Sequence, residues 1–182
     1  DIDPATGQVN TAVTISGTDL LGGGASIVSV AFGDGAGVVS SGDDTKVVVA
    51  APNVAAGVVD VVVTADTGAT TTRENGFTFQ DAGSIDTVSP ATGQVGTVVT
   101  ITGSALRGYG GEVSAVELAG NAAAISFEND TLVIATAAAG DAGDGDVLLT
   151  ADTGATVTLA DGFTYLVAGN VTSIAPTEGQ TG

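Results

Sequence analysis

The sequence predicts an all-β protein built as two tandem antiparallel β-sandwiches of about seven short strands each. Three observations predict it. The chain repeats itself at a fixed interval. Its composition is rich in Val, Thr and Gly, the residues of strands and turns. It carries no long segment with the 3.6-residue hydrophobic period of a helix.

The interval is read directly from the residues. Pro4-Ala5-Thr6-Gly7-Gln8-Val9 returns unchanged at Pro90 to Val95, an offset of 86 (90 − 4). Ala65-Asp66-Thr67-Gly68-Ala69-Thr70 recurs as Ala151 to Thr156, and Gly76-Phe77-Thr78-Phe79 as Gly162-Phe163-Thr164-Tyr165. The opening motif begins again at Ile174-Ala175-Pro176-Thr177-Glu178-Gly179-Gln180. The expected units are residues 1–83, residues 84–169, and a linker with the start of a third copy at 170–182. Each full unit is long enough to enclose its own small core. The chain is expected to be a segment of a longer array.

Strands in the first unit are expected at Ala12–Ser16, Ile27–Phe32, Gly37–Ser40, Lys46–Ala50, Val58–Thr64, Ala69–Thr72 and Phe77–Gln80. Their counterparts are Val98–Thr102, Val113–Leu118, Ala123–Phe127, Leu132–Thr136, Asp144–Thr150, Ala155–Leu159 and Phe163–Leu166. Comparing copies assigns the faces. Asp60, Asp144 and Asp146 share one parity, so that parity faces water, and Val61, Val63, Val147 and Leu149 point inward. By the same argument Glu117 faces out, while Val30, Phe32, Val116 and Leu118 face in. Val13, Ile15, Val99 and Ile101 complete the expected core. Asp66-Thr67-Gly68 and Asp152-Thr153-Gly154 read as tight hairpins with Gly at positive φ. Only Gln80-Asp81-Ala82-Gly83-Ser84 separates Phe79 from Ile85, too little for a free tether, so stiffly stacked neighbours are expected.

Charge limits the possible partners. There are 21 acidic residues and 3 basic ones, a net charge of −18. Phosphate binding needs clustered Lys and Arg, so nucleic acid is excluded and anionic membranes are disfavoured. Disorder is not implied, because 43% of residues are hydrophobic and they alternate in runs. Such a surface stays soluble in salt and attracts divalent cations. The absence of His and Cys removes the common triads and thiol nucleophiles, so no catalysis is expected.

Over nearly its whole length the sequence resembles the IPT/TIG family, immunoglobulin-like (E-set) modules of plexins, transcription factors and microbial surface proteins. The resemblance rests on Ile2-Asp3-Pro4-Ala5-Thr6-Gly7, then Thr11-Ala12-Val13-Thr14-Ile15-Ser16-Gly17-Thr18-Asp19-Leu20. Repeat 2 matches with Val88-Ser89-Pro90, Gly93, and Thr97-Val98-Val99-Thr100-Ile101-Thr102-Gly103-Ser104-Ala105-Leu106. Val30-Ala31-Phe32-Gly33, Ala51-Pro52, Gly57 and Gly76-Phe77-Thr78-Phe79 continue the pattern. Repeat 2 departs from it at Leu118-Ala119 and at Ala137, after which the counterpart of Pro52 is missing. The resemblance implies an extracellular setting for tandem copies and supplies no catalytic residues.

Several side chains are candidate sites. Asp141, Asp144 and Asp146 concentrate carboxylates in a Gly-containing stretch, as hard-oxygen Ca²⁺ sites do; no cofactor is required, and Ca²⁺ is the one candidate. Asp81 and Asp86 at the junction, with Asp161, form a second acidic group. Asn129-Asp130-Thr131 and Asn170-Val171-Thr172 are glycosylation sequons at Asn129 and Asn170. Leu132, Ile134 and Leu148 form a candidate apolar contact patch. Arg107-Gly108-Tyr109-Gly110-Gly111 offers an aromatic loop where repeat 1 has Gly-rich Leu21–Gly24. The expected function is a structural segment of an extracellular stalk, surface layer or filament. Its expected partner is a neighbouring repeat or chain, with strand addition by the opening strand as one route. The alternatives are an adhesin or receptor module for a glycan or protein, or an accessory domain of a secreted enzyme.

Overall fold

The computed structural model describes residues 1–176 and 178–180. Thr177 of the third motif, and residues 181 and 182 of the expected 170–182 segment, lie outside the described residues. In repeat 1 the strands are β1 (Ile2–Asp3), β2 (Thr6–Gly7), β3 (Ala12–Ser16), β4 (Ile27–Phe32), β5 (Gly35–Ala36), β6 (Val38–Gly42), β7 (Lys46–Ala50), β8 (Gly57–Ala65) and β9 (Thr70–Phe79). They form two sheets, ordered β1-β3-β7-β6 and β2-β9-β8-β4-β5. Repeat 2 contains β10 (Ser84–Ser89), β11 (Thr92–Gly93), β12 (Val98–Ser104), β13 (Val113–Leu118), β14 (Asn121–Glu128), β15 (Leu132–Ala137), β16 (Gly143–Ala151) and β17 (Thr156–Tyr165). Here β14 pairs with both β13 and β15, so one continuous ladder runs β10-β12-β15-β14-β13-β16-β17-β11. In repeat 1 the run corresponding to β14 is divided at Gly37 into β5 and β6.

The parity argument holds. Val13, Val30, Phe32, Val61, Val63, Val116, Leu118, Val147 and Leu149 are all buried, and Asp60, Asp144 and Asp146 are exposed. Each repeat encloses a separate apolar cluster. Phe32, Phe77 and Phe79 fill the first in edge-to-face contact, with Phe77 and Phe79 centroids 4.9 Å apart. Phe163 and Tyr165 pack the same way in the second, at 5.1 Å.

Two features differ from the sequence expectation. First, the opening motif is itself sheet structure. The chain leaves one sheet after β1, passes Pro4, and joins the other as β2, which lies parallel to β9. Repeat 2 makes the equivalent passage at Pro90, from β10 at one end of its ladder to β11 at the other. Proline has no N–H for a ladder, so it suits the point where the chain changes sheets. Second, the last two expected strands of each repeat are one strand, β9 or β17. Arg73-Glu74-Asn75 reads as a break but is a bulge, with the register shifting between Val59 and Val61. Asn75 and Asp161 take φ of 49° and 50° there, and each N–H donates to a carboxylate of the neighbouring strand, Asp60 or Asp146.

The departures in repeat 2 are absorbed locally. Leu118 is fully buried in place of Phe32, and Ala119 takes φ 46° where Gly33 takes φ 56°. An L-residue in this left-handed region costs about 1 kcal/mol against glycine. Tyr165 replaces Phe79, and burial pushes its phenol pKa up. The hydroxyl has no hydrogen-bond partner among the described residues. Urea denaturation should therefore show Ala119→Gly and Tyr165→Phe each as neutral to stabilising, by up to about 1 kcal/mol. A loss of stability in Tyr165→Phe would show that the hydroxyl is bonded in solution.

Candidate functional site: the joint between repeats

The feature that joins the two sandwiches starts in the four-residue turn 8–11. Between β2 and β3, Gln8 N–H donates to Thr11 Oγ1 at 3.0 Å and Thr11 N–H returns to Gln8 O at 3.2 Å. A Cβ on Gly7 would collide with the Thr11 side chain, so glycine is required for the turn to close. Asn10 adopts φ 66°, and its N–H donates to Ala51 O at 2.9 Å. The turn is therefore rigid before any neighbour is considered.

From it the Gln8 side chain, only 1% exposed, reaches both the linker and the next domain. Its Oε1 accepts from Gly83 N–H at 2.7 Å. Its Nε2 donates to Thr156 O at 3.0 Å. One planar amide supplies both an acceptor and a donor, which neither Glu nor Leu could do. Asn10 Nδ2 donates to Thr156 Oγ1 at 2.9 Å, and Ala12 N–H donates to Thr153 O at 2.8 Å. All three partners in repeat 2 lie in or beside the Asp152-Thr153-Gly154 hairpin, whose Gly154 has the expected positive φ of 83°.

The close approach depends on missing Cβ atoms. A Cβ on Gly108 would stand 2.7 Å from Ala155 Cβ and 3.1 Å from Gln8 Nε2. One on Gly83 would stand 2.7 Å from a Val157 methyl and strike Ala105 O. One on Gly154 would stand 3.2 Å from Asn10 O. The joint is thus a tight fit of uncharged groups on a molecule of net charge −18, so salt screening bears little on its contacts.

The acidic candidates fall elsewhere. Asp144 and Asp146 lie on β16 rather than in a loop, and Asp141 precedes that strand. Asp144 Oδ1 accepts from the Thr164 hydroxyl at 2.7 Å, and Asp146 Oδ1 accepts from Asp161 N–H at 3.0 Å. Asp86 accepts from the Ser84 hydroxyl at 3.1 Å. Among the described residues no three His, Cys, Asp or Glu side chains are grouped to hold a metal ion, and this covers both acidic sets. Asn129 is a turn-former. Its Oδ1 accepts from Thr131 N–H, the Thr131 hydroxyl and Leu132 N–H, as Asp43 does from Thr45 and Lys46 in repeat 1. Asn170 is exposed after the last strand. The apolar patch is composed differently from the expectation. Ile134 pairs with Phe127, which is 47% exposed, while Leu148 pairs with Glu117 and Thr158 on other strands.

Tyr109 is displayed on a clamped loop, 47% exposed. Arg107 grips Glu128 through two bonds, Nε to Oε2 at 2.9 Å and Nη2 to Oε1 at 2.8 Å. Glu128 also accepts from Val113 N–H at 3.0 Å. The repeat 1 counterparts are Leu21 and Gly42, so this clamp belongs to repeat 2 alone.

Among the described residues no helix is long and apolar enough to cross a membrane. The geometry defines a class first: immunoglobulin-like β-sandwich modules in tandem, joined end to end by a short linker. The IPT/TIG domain pattern matches residues 1–80 and 84–165, and the chain belongs to that family. Two structures of the Plexin A4 extracellular region are similar in fold. One has 17% identity and a TM-score of 0.55 over 86% of this chain and 16% of that one. The other has 18% identity and a TM-score of 0.50 over 91% and 18%. This chain therefore spans under a fifth of the plexin chains it resembles. A Bacteroides ovatus glucan-locus protein, SGBP-B, shares 14% identity at a TM-score of 0.36 over 88% of this chain and 42% of that one. Comparison with curated proteins gave no match.

Gln8 was missed from sequence because its motif reads as a fold signature. The available signal was its return as Gln94 beside the same glycine. The Arg107–Glu128 clamp generates a pH prediction. The hydrogen bond from Arg107 holds the Glu128 carboxyl below its ordinary value of 4.5, against the opposing effect of burial and with Val113 N–H assisting. A carboxylate whose folded pKa is lowered stabilises the fold above its unfolded pKa and loses that effect as pH falls through the folded value. Glu128→Gln should therefore melt below the native chain at pH 7. The gap should close as pH falls below about 4.5 in a thermal-melt series.

Proposed function

We propose that the chain is a non-enzymatic, architectural segment of an extracellular protein, a stalk or filament in which stiff acidic modules stack at a fixed step. The observation that carries this reading is the Gln8 amide, fully buried and bonded at once to the linker and to the next domain. A flexible string of binding modules needs no such bridge. A load-bearing or spacing element does, because its length and direction depend on the angle at each joint. An extracellular setting is supported by family membership and by the fold shared with the plexin extracellular region. The acidic surface fits the same role, since like charge on every module keeps neighbouring rods apart.

The test is interdomain order. Residual dipolar couplings and small-angle scattering should report one relative orientation for the native chain. Gln8→Ala removes both bonds and leaves Gly83 N–H and Thr156 O without their partner, at a cost of about 1–3 kcal/mol to the joint. Gln8→Glu keeps an acceptor for Gly83 but turns a carboxylate on the Thr156 carbonyl. Both variants should keep two folded domains and lose the common orientation. Native-like alignment of the two domains in both variants would defeat the rigid-joint reading.

A further inference from the structure

Repeat 2 differs from repeat 1 at four outward positions of one hairpin. Phe127 stands where repeat 1 has Ser41, Leu132 where it has Lys46, Ile134 where it has Val48, and Asn129 where it has Asp43. The register places all four on one face of β14, β15 and their turn. Phe127 pairs with Ile134 and Glu128 with Val133, and Asn129 N–H donates to Leu132 O at 2.8 Å. Val133 and Ala135 are fully buried, so the alternate positions face outward. Phe127 is therefore a half-exposed aromatic ring two residues before Asn129, on the same side of the hairpin. Between them Glu128 is gripped by Arg107, which fixes the strand that carries both.

The turn itself does not require asparagine. In repeat 1 the Asp43 carboxylate builds it by accepting from Thr45 N–H, the Thr45 hydroxyl and Lys46 N–H. Asn129 Oδ1 takes the three corresponding bonds, at 2.8, 3.1 and 2.8 Å. What asparagine adds is the Nδ2 amine. Among the described residues it donates to nothing, and it is not buried. The intervening carboxylate is committed elsewhere, since Asp130 Oδ1 accepts from Arg107 N–H at 3.2 Å. The Thr131 hydroxyl is held against the Asn129 amide by its bond to Oδ1. Asn129-Asp130-Thr131 is thus a sequon whose carbonyl is fixed by the turn and whose amine faces solvent.

We propose that Asn129 carries an N-linked glycan whose first sugar lies on the Phe127 ring. The donor is an oligosaccharide linked to a lipid pyrophosphate. Asn129 Nδ2 forms a bond to the anomeric carbon of its first sugar and releases one proton. The bond from that carbon to the pyrophosphate oxygen breaks, and the electron pair leaves with the pyrophosphate. The amide keeps its carbonyl, so the three bonds to Oδ1 that hold the turn survive. A pyranose presents C–H groups on its face, and the negative face of an aromatic ring attracts them. Leu132 and Ile134 extend the apolar seat beside the ring. Repeat 1 has neither the acceptor nor the seat, with Asp43, Ser41 and Lys46 at the matching positions. The proposal rests on the extracellular part of the reading above, because such a donor is met during export, but it has its own readout.

The full chain, exported through a eukaryotic secretory pathway, should show a glycan mass on the peptide that contains Asn129. Asn129→Asp should fold, as Asp43 does in the same turn, and lose that mass. The seat is read by melting, on the Asn170→Gln chain so that the other sequon is silent. Amidase release of the glycan leaves Asp at position 129 and an uncovered ring, and should lower the melting temperature by roughly 2–4 °C. In Phe127→Ser, which copies repeat 1, that difference should vanish. An exported, folded chain with Asn129 unmodified would overturn the proposal. So would a glycan whose removal leaves the melting temperature unchanged, or shifts it equally in Phe127→Ser. A chain that carries a glycan at Asn170 and none at Asn129 would reject this site and leave the extracellular reading in place.

Discussion

The two sandwiches are placed by one buried neutral amide, flanked by bonds from Asn10 and Ala12. Gln8 can bridge linker and neighbour only because its turn is already locked by Thr11 and Ala51. It can approach only because Gly83 and Gly108 present no Cβ to obstruct it. A buried amide with both ends satisfied is rigid and costly to disturb, since breaking either bond leaves a polar group without water. Two separate apolar cores thus become one oriented pair through hydrogen bonds between uncharged groups.

The acidity of the chain is partly architectural. Asp60 and Asp146 hold the bulges of β9 and β17 by accepting backbone N–H groups. Asp44 and Asp130 accept from Leu21 and Arg107 N–H, and Asp66 and Asp152 anchor the loops that pass Ala25 and Gly111. Asp43 is held below the usual carboxylate range chiefly by Thr45 N–H. These carboxylates take their hydrogen bonds from backbone amides, so they need no Lys or Arg. That is how a chain with 3 basic residues accommodates 21 acidic ones and still orders its turns.

Much of the fold was legible because alternation is a local rule. Once aspartate marked the wet parity of β8 and β16, the inward residues followed and are buried. The merged strands were not legible, because Arg73-Glu74-Asn75 is polar enough to pass for a loop, yet Arg73 pairs with Val61 and Asn75 N–H is bonded to Asp60. The switch between sheets at Pro4 was hidden for a related reason. Two-residue strands such as β1 and β2 carry no periodicity to detect. The acidic stretch from Asp141 to Asp146 suggested a cation site by composition; in the structure Asp144 accepts from Thr164 and Asp146 from the bulge at Asp161. The joint was hardest to see. Its partners are 75 and 148 residues from Gln8, and no local pattern shows that a side chain is bonded so far away.

The same separation recurs in both repeats. Gln8 reaches Gly83 and Gln94 reaches Gly169 across the same 75 residues. An insertion in the linker would move the glycine N–H off the amide oxygen and shift Val157 and Ala105 against it. The repeats differ at side chains away from the bridging amide. Repeat 2 has the Arg107–Glu128 clamp and Tyr109 where repeat 1 has Leu21, Gly42 and a Gly-rich turn. They agree at Gly7, Gln8, Thr11, Gly83 and the Ala65–Thr70 hairpin, each matched at an offset of 86 (for example 169 − 83). The turn, the bridging amide and the hairpin are held in common, while the side chains flanking them and those of the Arg107–Gly111 loop vary.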